Sequence, residues 1–168
     1  GNRDPKSSFL TEIASTIGVL EHAIKNVDKW TKDEKRPSNV DRPFFIRMLM
    51  GFLGSKSYIK YQPLGTVGVI SPWNFPVNLI LAPLGGIFAA GNRAMIKPSE
   101  LTPATSEVTK KMFEAYFDKS EAAVFTGDAE VGAAFSALPF DHLLFTGGTQ
   151  IGKKVMKAAS DTLVPVTL

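Results

Sequence analysis

The chain contains no cysteine and only two histidines in 168 residues. Without cysteine it can form neither a disulfide framework nor a thiolate metal site. His22 and His142 have no Asp or Glu partner at a trustworthy metal-ligand spacing, so both are interpreted as structural and no metal site is predicted. No serine lies in the Gly-x-Ser-x-Gly arrangement of a hydrolase nucleophile.

The chain also lacks long apolar runs and a large net charge of one sign. The apolar stretch 77–90 is shorter than the about 18 residues of a membrane helix, and no signal peptide opens the chain. We therefore predict no membrane segment and a cytoplasmic location. The net charge is only +3, and no basic run is interleaved with aromatic residues. A solvated surface is thus favoured over a nucleic-acid partner.

What is present indicates one ordinary globular domain, because 44% of the residues are hydrophobic and 21% are charged. That composition excludes disordered and collagen-like classes. The chain begins with Gly1, and its last residues, 164–168, have the character of a strand. We expect on these grounds that it is part of a longer protein.

The sequence pattern changes near residue 57. Apolar residues at three- and four-residue spacing predict an amphipathic packing helix over 8–30, followed by a polar connector over 31–43. Residues 44–50 are apolar but ambiguous, and 57–62 alternates as a short strand. We predict an N-terminal helical segment with connector over 1–56 and a partial dinucleotide-binding domain over 57–168.

Strands then alternate with helices. Strands are predicted over 66–70, 93–96, 122–126, 142–145 and 164–168, with helices over 76–90, 102–117, 129–137 and 149–160. This alternation predicts an α/β fold with a doubly wound parallel sheet. Ligands of such sheets bind beyond the carboxyl ends of the strands, so the turns from strand to helix are the candidate sites.

Three of these turns carry polar or glycine-rich motifs. Asn74, fixed between two prolines, has a carboxamide suited to an oxyanion, although the turn alone favours local backbone contacts. Lys97 and Glu100 suit ribose and phosphate contacts, or equally a surface ion pair with a helix cap. The glycine-rich turn 145–152 suits a phosphate at a helix start, or equally a tight turn without ligand.

Taken together and in order, these turns resemble the aldehyde dehydrogenase superfamily, and the first helix with Trp30 is most similar to its class 3 and coniferyl-aldehyde-type branch. The stretches that carry the resemblance are Pro63–Gly68, Pro72–Pro76, Ala90–Asn92, Lys97–Glu100, Phe145–Thr149 and Pro165–Leu168. The resemblance implies a Rossmann-like cofactor domain, preceded here by a helix, and oxidation of aldehydes to acids with NAD or NADP. It also implies that 57–62 begins an oligomerisation strand, so that the full-length protein is a homo-oligomer.

The resemblance further implies residue roles. Asn74 matches the asparagine that stabilises the oxyanion, and Gly132 lies in the short helix beside the adenine. Lys97 and Glu100 match the adenosine-ribose contacts, where Glu100 slightly favours NAD. The residues implied to bind the cofactor are Ser71, Pro72, Trp73, Asn74, Lys97, Ser99, Glu100, Gly132, Phe145, Gly147, Gly148, Thr149, Ile151 and Gly152.

The chain departs from the family pattern in three ways. The nucleophilic cysteine is absent, and the general-base glutamate is expected directly after Leu168. Gly148 replaces a more usual serine, which Thr149 is expected to offset in part as a cap. We therefore expect no aldehyde turnover by this chain alone. A non-catalytic nucleotide-binding or interaction module derived from the fold, and an unrelated Rossmann-like protein, remain alternatives, and the aldehyde itself is not identified.

Overall fold

The computed structural model describes residues 4–37 and 41–168. Its helices are α1 Pro5–Ser8, α2 Ser15–Trp30, α3 Phe44–Phe52, α4 Asn78–Ala89, α5 Pro103–Tyr116, α6 Ala129–Ser136 and α7 Thr149–Ser160, with a π-helical stretch Phe9–Ala14 between α1 and α2. Its strands are β1 Glu34–Arg36, β2 Ser57–Ile59, β3 Thr66–Ile70, β4 Arg93–Lys97, β5 Ala122–Val124, β6 His142–Phe145 and β7 Val166–Thr167.

The five later strands form one parallel sheet in the order β5-β4-β3-β6-β7. The chain therefore runs outward from β3 through β4 to β5, then returns to the other side of β3 and continues through β6 to β7. This reversal is the topology of a doubly wound sheet, which confirms the predicted fold class. The switch point lies between β3 and β6, where Ile70 is in register with Phe145.

Two apolar clusters make the core. One joins β3, β4 and β5 to α4 and α5, with Val69, Ile96 and Phe113 almost fully buried. The other joins β6 to α6 and α7 through Leu143, Phe145 and other buried side chains. Because a strand buried by helices on both faces excludes water throughout, the short β-branched runs of the sequence suit these positions.

The first helix differs from the prediction. It begins at Pro5, where the carboxylate of Asp4 accepts a hydrogen bond from the backbone nitrogen of Ser7 at 2.9 Å, and it is interrupted by the π-helical stretch. Several apolar residues expected to pack, such as Ile24, remain exposed. Leu20 packs as predicted, and together with Ala23, which was not among the predicted positions, it lies against Gly85 of α4.

The segment before the main sheet also contains unpredicted structure. Glu34–Arg36, placed in the connector by the sequence, is the strand β1 and pairs antiparallel with Ser57–Ile59. The connector prediction is therefore wrong for these residues, while its positions 38–40 lie outside the described residues. The strand predicted over 57–62 is shorter, and the ambiguous segment 44–50 lies in helix α3.

Within the parts of the chain that the structure describes, no helix is both long and apolar enough to span a bilayer. His142 has a structural partner, as expected, since its Nε2 lies 2.9 Å from the hydroxyl of Thr167 on β7. The other histidine, His22, packs its ring 5.6 Å from that of Trp30.

Candidate functional site

A cavity of about 490 Å³ opens at the carboxyl ends of the strands at the switch point. Most of the residues predicted to bind a cofactor line it together, and they come from the turns after β3, β4 and β6 and from α6 and α7. These residues are Ser71, Pro72, Trp73, Lys97, Ser99, Glu100, Gly132, Phe145, Gly147, Gly148 and Ile151. The three turns identified from the sequence therefore meet on one edge of the sheet.

Ser71, directly after β3, places a buried hydroxyl at this cavity. The residue is 3% exposed, and its Oγ has no hydrogen-bond partner in the described structure. Its backbone nitrogen donates to the carbonyl of Lys97 at 3.2 Å, which continues the pairing of β3 with β4 past the strand end. A buried hydroxyl without a partner is unfavourable by about 1–3 kcal/mol, so a ligand atom that bonds it would recover this free energy.

Lys97, at the end of β4, is a buried cation that lines the same cavity. It is 2% exposed, and its Nζ donates to the carbonyl of Pro98 at 2.8 Å. The carboxylate of Glu100 lies 3.6 Å from this Nζ and is partly exposed. Since an ammonium group has three donors, Lys97 retains hydrogen-bonding capacity for a ligand beside Glu100.

The turn after β4 is fixed by serine hydroxyls. The Oγ of Ser99 accepts from the backbone nitrogen of Leu101 at 3.2 Å, and the Oγ of Ser106 donates to the carbonyl of Ser99 at 3.0 Å. Thr102 occupies the capping position of α5 without a side-chain cap, and its hydroxyl donates to the carbonyl of Ser99 at 3.4 Å. Pro103 occupies the first helical turn.

The glycine-rich turn leads from β6 into the amino end of α7. A side chain on Gly147 would lie 2.5 Å from the ring of Phe145, whereas Gly148 faces open space. Gly148 is the residue that caps α7, with no side-chain hydrogen bond, and Thr149 is already the first helical residue. The expectation that Thr149 compensates for the missing serine as a cap is therefore wrong.

The predicted site residues omit two charged residues that line the cavity, Asp128 and Lys154. Asp128 caps α6, where its Oδ1 accepts from the backbone nitrogens of Glu130 and Val131 at 3.0 and 3.2 Å. An aspartate just before a helix is a recognisable cap signal, so it could have been identified. Lys154 lies on α7 and had no distinguishing signal. Gly132 of α6 faces the cavity with no atom within 4 Å of an added side chain.

Asn74 does not line this cavity. It lines a second depression of about 790 Å³, which is formed with the π-helical stretch and the start of α5. Trp73 and Leu101 line both cavities and therefore lie at their boundary. Thr149 and Gly152 also lie outside the first cavity's lining. Among residues 4–37 and 41–168, no group of three His, Asp or Glu side chains could hold a metal ion.

This fold, with a cleft at its topological switch point, defines a Rossmann-like α/β domain. The model of the Aldehyde dehydrogenase family matches residues 2–168. The chain therefore belongs to the aldehyde dehydrogenase family.

Individual relatives agree with this membership. A probable coniferyl aldehyde dehydrogenase of Caulobacter vibrioides is 55% identical over the whole chain. A 4,4'-diaponeurosporen-aldehyde dehydrogenase of Staphylococcus aureus is 43% identical over 96% of the chain. In each case the chain spans about a third of the relative's length, 33% of both proteins.

Solved structures give the same result. The substrate-bound state of Staphylococcus aureus AldH matches with a TM-score of 0.85 and 42% identity, covering 96% of this chain and 33% of that one. A Mycobacterium tuberculosis aldehyde dehydrogenase complexed with NAD+ matches with a TM-score of 0.78 and 26% identity, covering 98% of this chain and 32% of that one. Both matches support the fold assigned above.

Proposed function

We propose that this chain is the dinucleotide-binding part of an aldehyde dehydrogenase that oxidises an aldehyde to a carboxylic acid with NAD or NADP. The observation that carries the proposal is the cleft at the switch point, in which an unpartnered buried hydroxyl and a buried cation lie beside a helix start. These groups suit the hydroxyls and phosphates of a dinucleotide. The solved structure of the Mycobacterium tuberculosis aldehyde dehydrogenase is a complex with NAD+.

Each polar group of the cleft then has a binding role. Lys97 donates to a ribose or phosphate oxygen, and Glu100 accepts from ribose hydroxyls. The amino end of α7, beside Gly147 and Gly148, receives the pyrophosphate, because unpaired backbone N–H groups and the helix dipole favour an anion there. Ser71 donates its hydroxyl to the ligand.

A dinucleotide suits this cleft because its lining combines apolar side chains, such as Trp73 and Ile151, with the polar groups of Ser71, Lys97 and Glu100. When bound, the nicotinamide ring supplies the hydride acceptor of the reaction. Trp73 lies at the boundary between the cleft and the second depression, so the reactive ring and the aldehyde would meet near it. The carboxylate of Glu100 favours NAD over NADP, since it repels a 2′-phosphate.

Asn74 is proposed as the residue of this chain that contributes to the chemistry. Its carboxamide nitrogen donates to the oxygen of the aldehyde as that oxygen gains negative charge under nucleophilic attack. The chain contains no cysteine, so a thiolate nucleophile has to come from outside these 168 residues. The chain alone is therefore expected to bind a dinucleotide without turning over aldehyde.

The decisive experiment uses the full-length protein with coniferyl aldehyde, the substrate in the names of the Caulobacter vibrioides relative and of a second relative from a Pseudomonas species. Asn74→Ala should lower kcat by about 100- to 1,000-fold, the loss expected for an oxyanion donor, and leave the NAD affinity unchanged. Nucleotide binding without oxidation of any aldehyde would instead support a non-catalytic module derived from the fold.

The assembly and location of the full-length protein are part of the same proposal. The antiparallel pair of β1 and β2 lies outside the main sheet and exposes Tyr58 and Ile59. We propose that it contributes to a homo-oligomer in the cytoplasm. Light scattering of the full-length protein tests the first point and cell fractionation tests the second. A monomer at micromolar concentration would contradict the role given to β2.

A further inference from the structure

Glu12 is a buried carboxylate that does not line the nucleotide cleft. It lies in the π-helical stretch Phe9–Ala14 and is 6% exposed. Its Oε2 accepts hydrogen bonds from the backbone nitrogens of Val77 at 3.0 Å and Asn78 at 2.9 Å. These two amides belong to the start of α4, where the capping position Val77 has no side-chain cap of its own. Glu12 thus caps α4 from 65 residues earlier in the chain.

A second layer of hydrogen bonds joins the same two elements. The side-chain nitrogen of Asn78 donates to the hydroxyls of Ser15 at 3.0 Å and Thr16 at 2.9 Å. The Thr16 hydroxyl in turn donates to the backbone carbonyl of Glu12. The start of α4 is therefore attached to the first helix through both its backbone and a side chain. Such buried polar networks specify a single geometry when their members are satisfied.

Asn74 lies on the loop between these attachments and the sheet. At one end of the loop, the backbone nitrogen of Ser71 bonds the carbonyl of Lys97, and at the other end Glu12 holds Val77 and Asn78. Asn74 and Glu12 line the same depression. These hydrogen bonds attach the loop that carries Asn74 to the sheet at one end and to the first helix at the other.

We propose that Glu12 is a positioning residue that holds the loop of Asn74 in its reactive geometry. It does not touch the aldehyde or the cofactor, and its effect passes through the backbone at 77–78. The inference rests on the proposed function, because it assigns Glu12 an effect on the step that Asn74 assists. A π-helical stretch is consistent with this assignment, since such turns occur frequently at functional sites.

The test uses the full-length protein and the variants Glu12→Ala, Glu12→Gln and Glu12→Asp. Glu12→Ala should lower kcat by about ten- to a hundredfold, because displacing a reacting group by about 1 Å costs up to that much. The dissociation constant for NAD should stay within about twofold. Glu12→Gln retains an acceptor oxygen of the same reach and should recover most of kcat, whereas the shorter Glu12→Asp should fall between the two.

Leu20→Ala is the matched control. Leu20 is a half-buried residue of the same helix, and it packs on Gly85 of α4 without a hydrogen bond to the loop. This variant should lower stability and leave kcat unchanged. Hydrogen exchange provides a readout without turnover: the amides of Val77 and Asn78 should exchange faster in Glu12→Ala than in Leu20→Ala.

Three results would overturn the inference. They are an unchanged kcat in Glu12→Ala, no recovery in Glu12→Gln relative to Glu12→Ala, and an equal loss of kcat in Leu20→Ala. The same assay of Asn74→Ala separates this failure from that of the proposed function. If Asn74→Ala lowers kcat and Glu12→Ala does not, only the positioning role is wrong. If Asn74→Ala retains full kcat, the proposed function is wrong.

Discussion

Replacing Ser71 with alanine should stabilise the ligand-free protein and weaken its binding of the dinucleotide. The Ser71 Oγ is buried without a partner in the described structure, so the free protein carries the desolvation cost of that hydroxyl. Removing it should raise the free energy of unfolding by about 1 kcal/mol, the lower end of the usual penalty. For a chain of this size, that corresponds to about 2–4 °C in melting temperature.

The effect on binding has the opposite sign. A dinucleotide that bonds the Ser71 hydroxyl gains one hydrogen bond, worth about 0.5–1.5 kcal/mol net. The affinity of Ser71→Ala for NAD should therefore fall about two- to tenfold. Titration calorimetry measures this change, and urea unfolding of the same preparations measures the stability.

Ser106→Ala is the control for this experiment. Ser106 is also buried, but its hydroxyl donates to the carbonyls of Ser99 and Thr102 and it does not line the cleft. Its replacement should lower stability by about 1 kcal/mol and change NAD affinity little. The reasoning is refuted if Ser71→Ala loses stability as Ser106→Ala does, or if its affinity for NAD is unchanged.

Three further predictions concern charge, space and pH. Glu100→Gln in the full-length protein should raise the affinity for NADP relative to NAD by several-fold, and an unchanged ratio would contradict the ribose role. Gly147→Ala should lower the free energy of unfolding by about 1–3 kcal/mol, because the added Cβ would overlap the ring of Phe145. Gly148 faces open space, so Gly148→Ala should change the free energy of unfolding by less than about 1 kcal/mol. Equal losses of the two variants in urea unfolding would contradict this interpretation of the turn. Hydrogen bonds from the side chain of Ser120, and secondarily from its backbone, hold the pKa of Asp118 below its ordinary value of 3.8. The contribution of Asp118 to stability is therefore fully present above pH 3.8, and it is lost as the pH falls through the lowered pKa of the folded protein. Asp118→Asn should remove that part of the acid dependence of unfolding, and identical pH profiles would refute it.

The sheet was predictable because local pattern and tertiary environment agree. Residues 66–70 are β-branched or small and lie in the sheet centre, and the strand has those bounds in the structure. The strand predicted over 93–96 extends to Lys97, which the sequence had placed in the turn that follows it. Only the surrounding strands and helices could reveal that this cation is buried.

The first third of the chain was less predictable because its structure depends on distant partners. Glu34–Arg36 is entirely charged and becomes a strand only through pairing with Ser57–Ile59. The helix of residues 8–30 has the expected apolar spacing, but the π-helical stretch interrupts its period, and several predicted packing positions, such as Ile13 and Ile24, are exposed while Leu20 packs as predicted. The binding partners of Glu12 are likewise far away in sequence.

The turns of the sequence predicted where the candidate site lies. They did not predict that the site is divided into two cavities. The family resemblance placed Asn74 with the cofactor contacts, because it lies in the turn that follows β3. In the structure Trp73 lines both cavities, and Asn74 lines the second one. Which side of a short loop a side chain faces is decided by packing against other elements, and no spacing rule supplies that information.

The attachment of α4 to the first helix has a consequence for protein engineering. The change in sequence pattern at residue 57 suggests cutting the chain there to obtain a minimal nucleotide-binding unit. That unit would lose the carboxylate that bonds the amides of Val77 and Asn78, together with the hydroxyls that hold the side chain of Asn78. A shortened protein or a chimaera intended to preserve this loop should therefore retain the polypeptide from Asp4 onward.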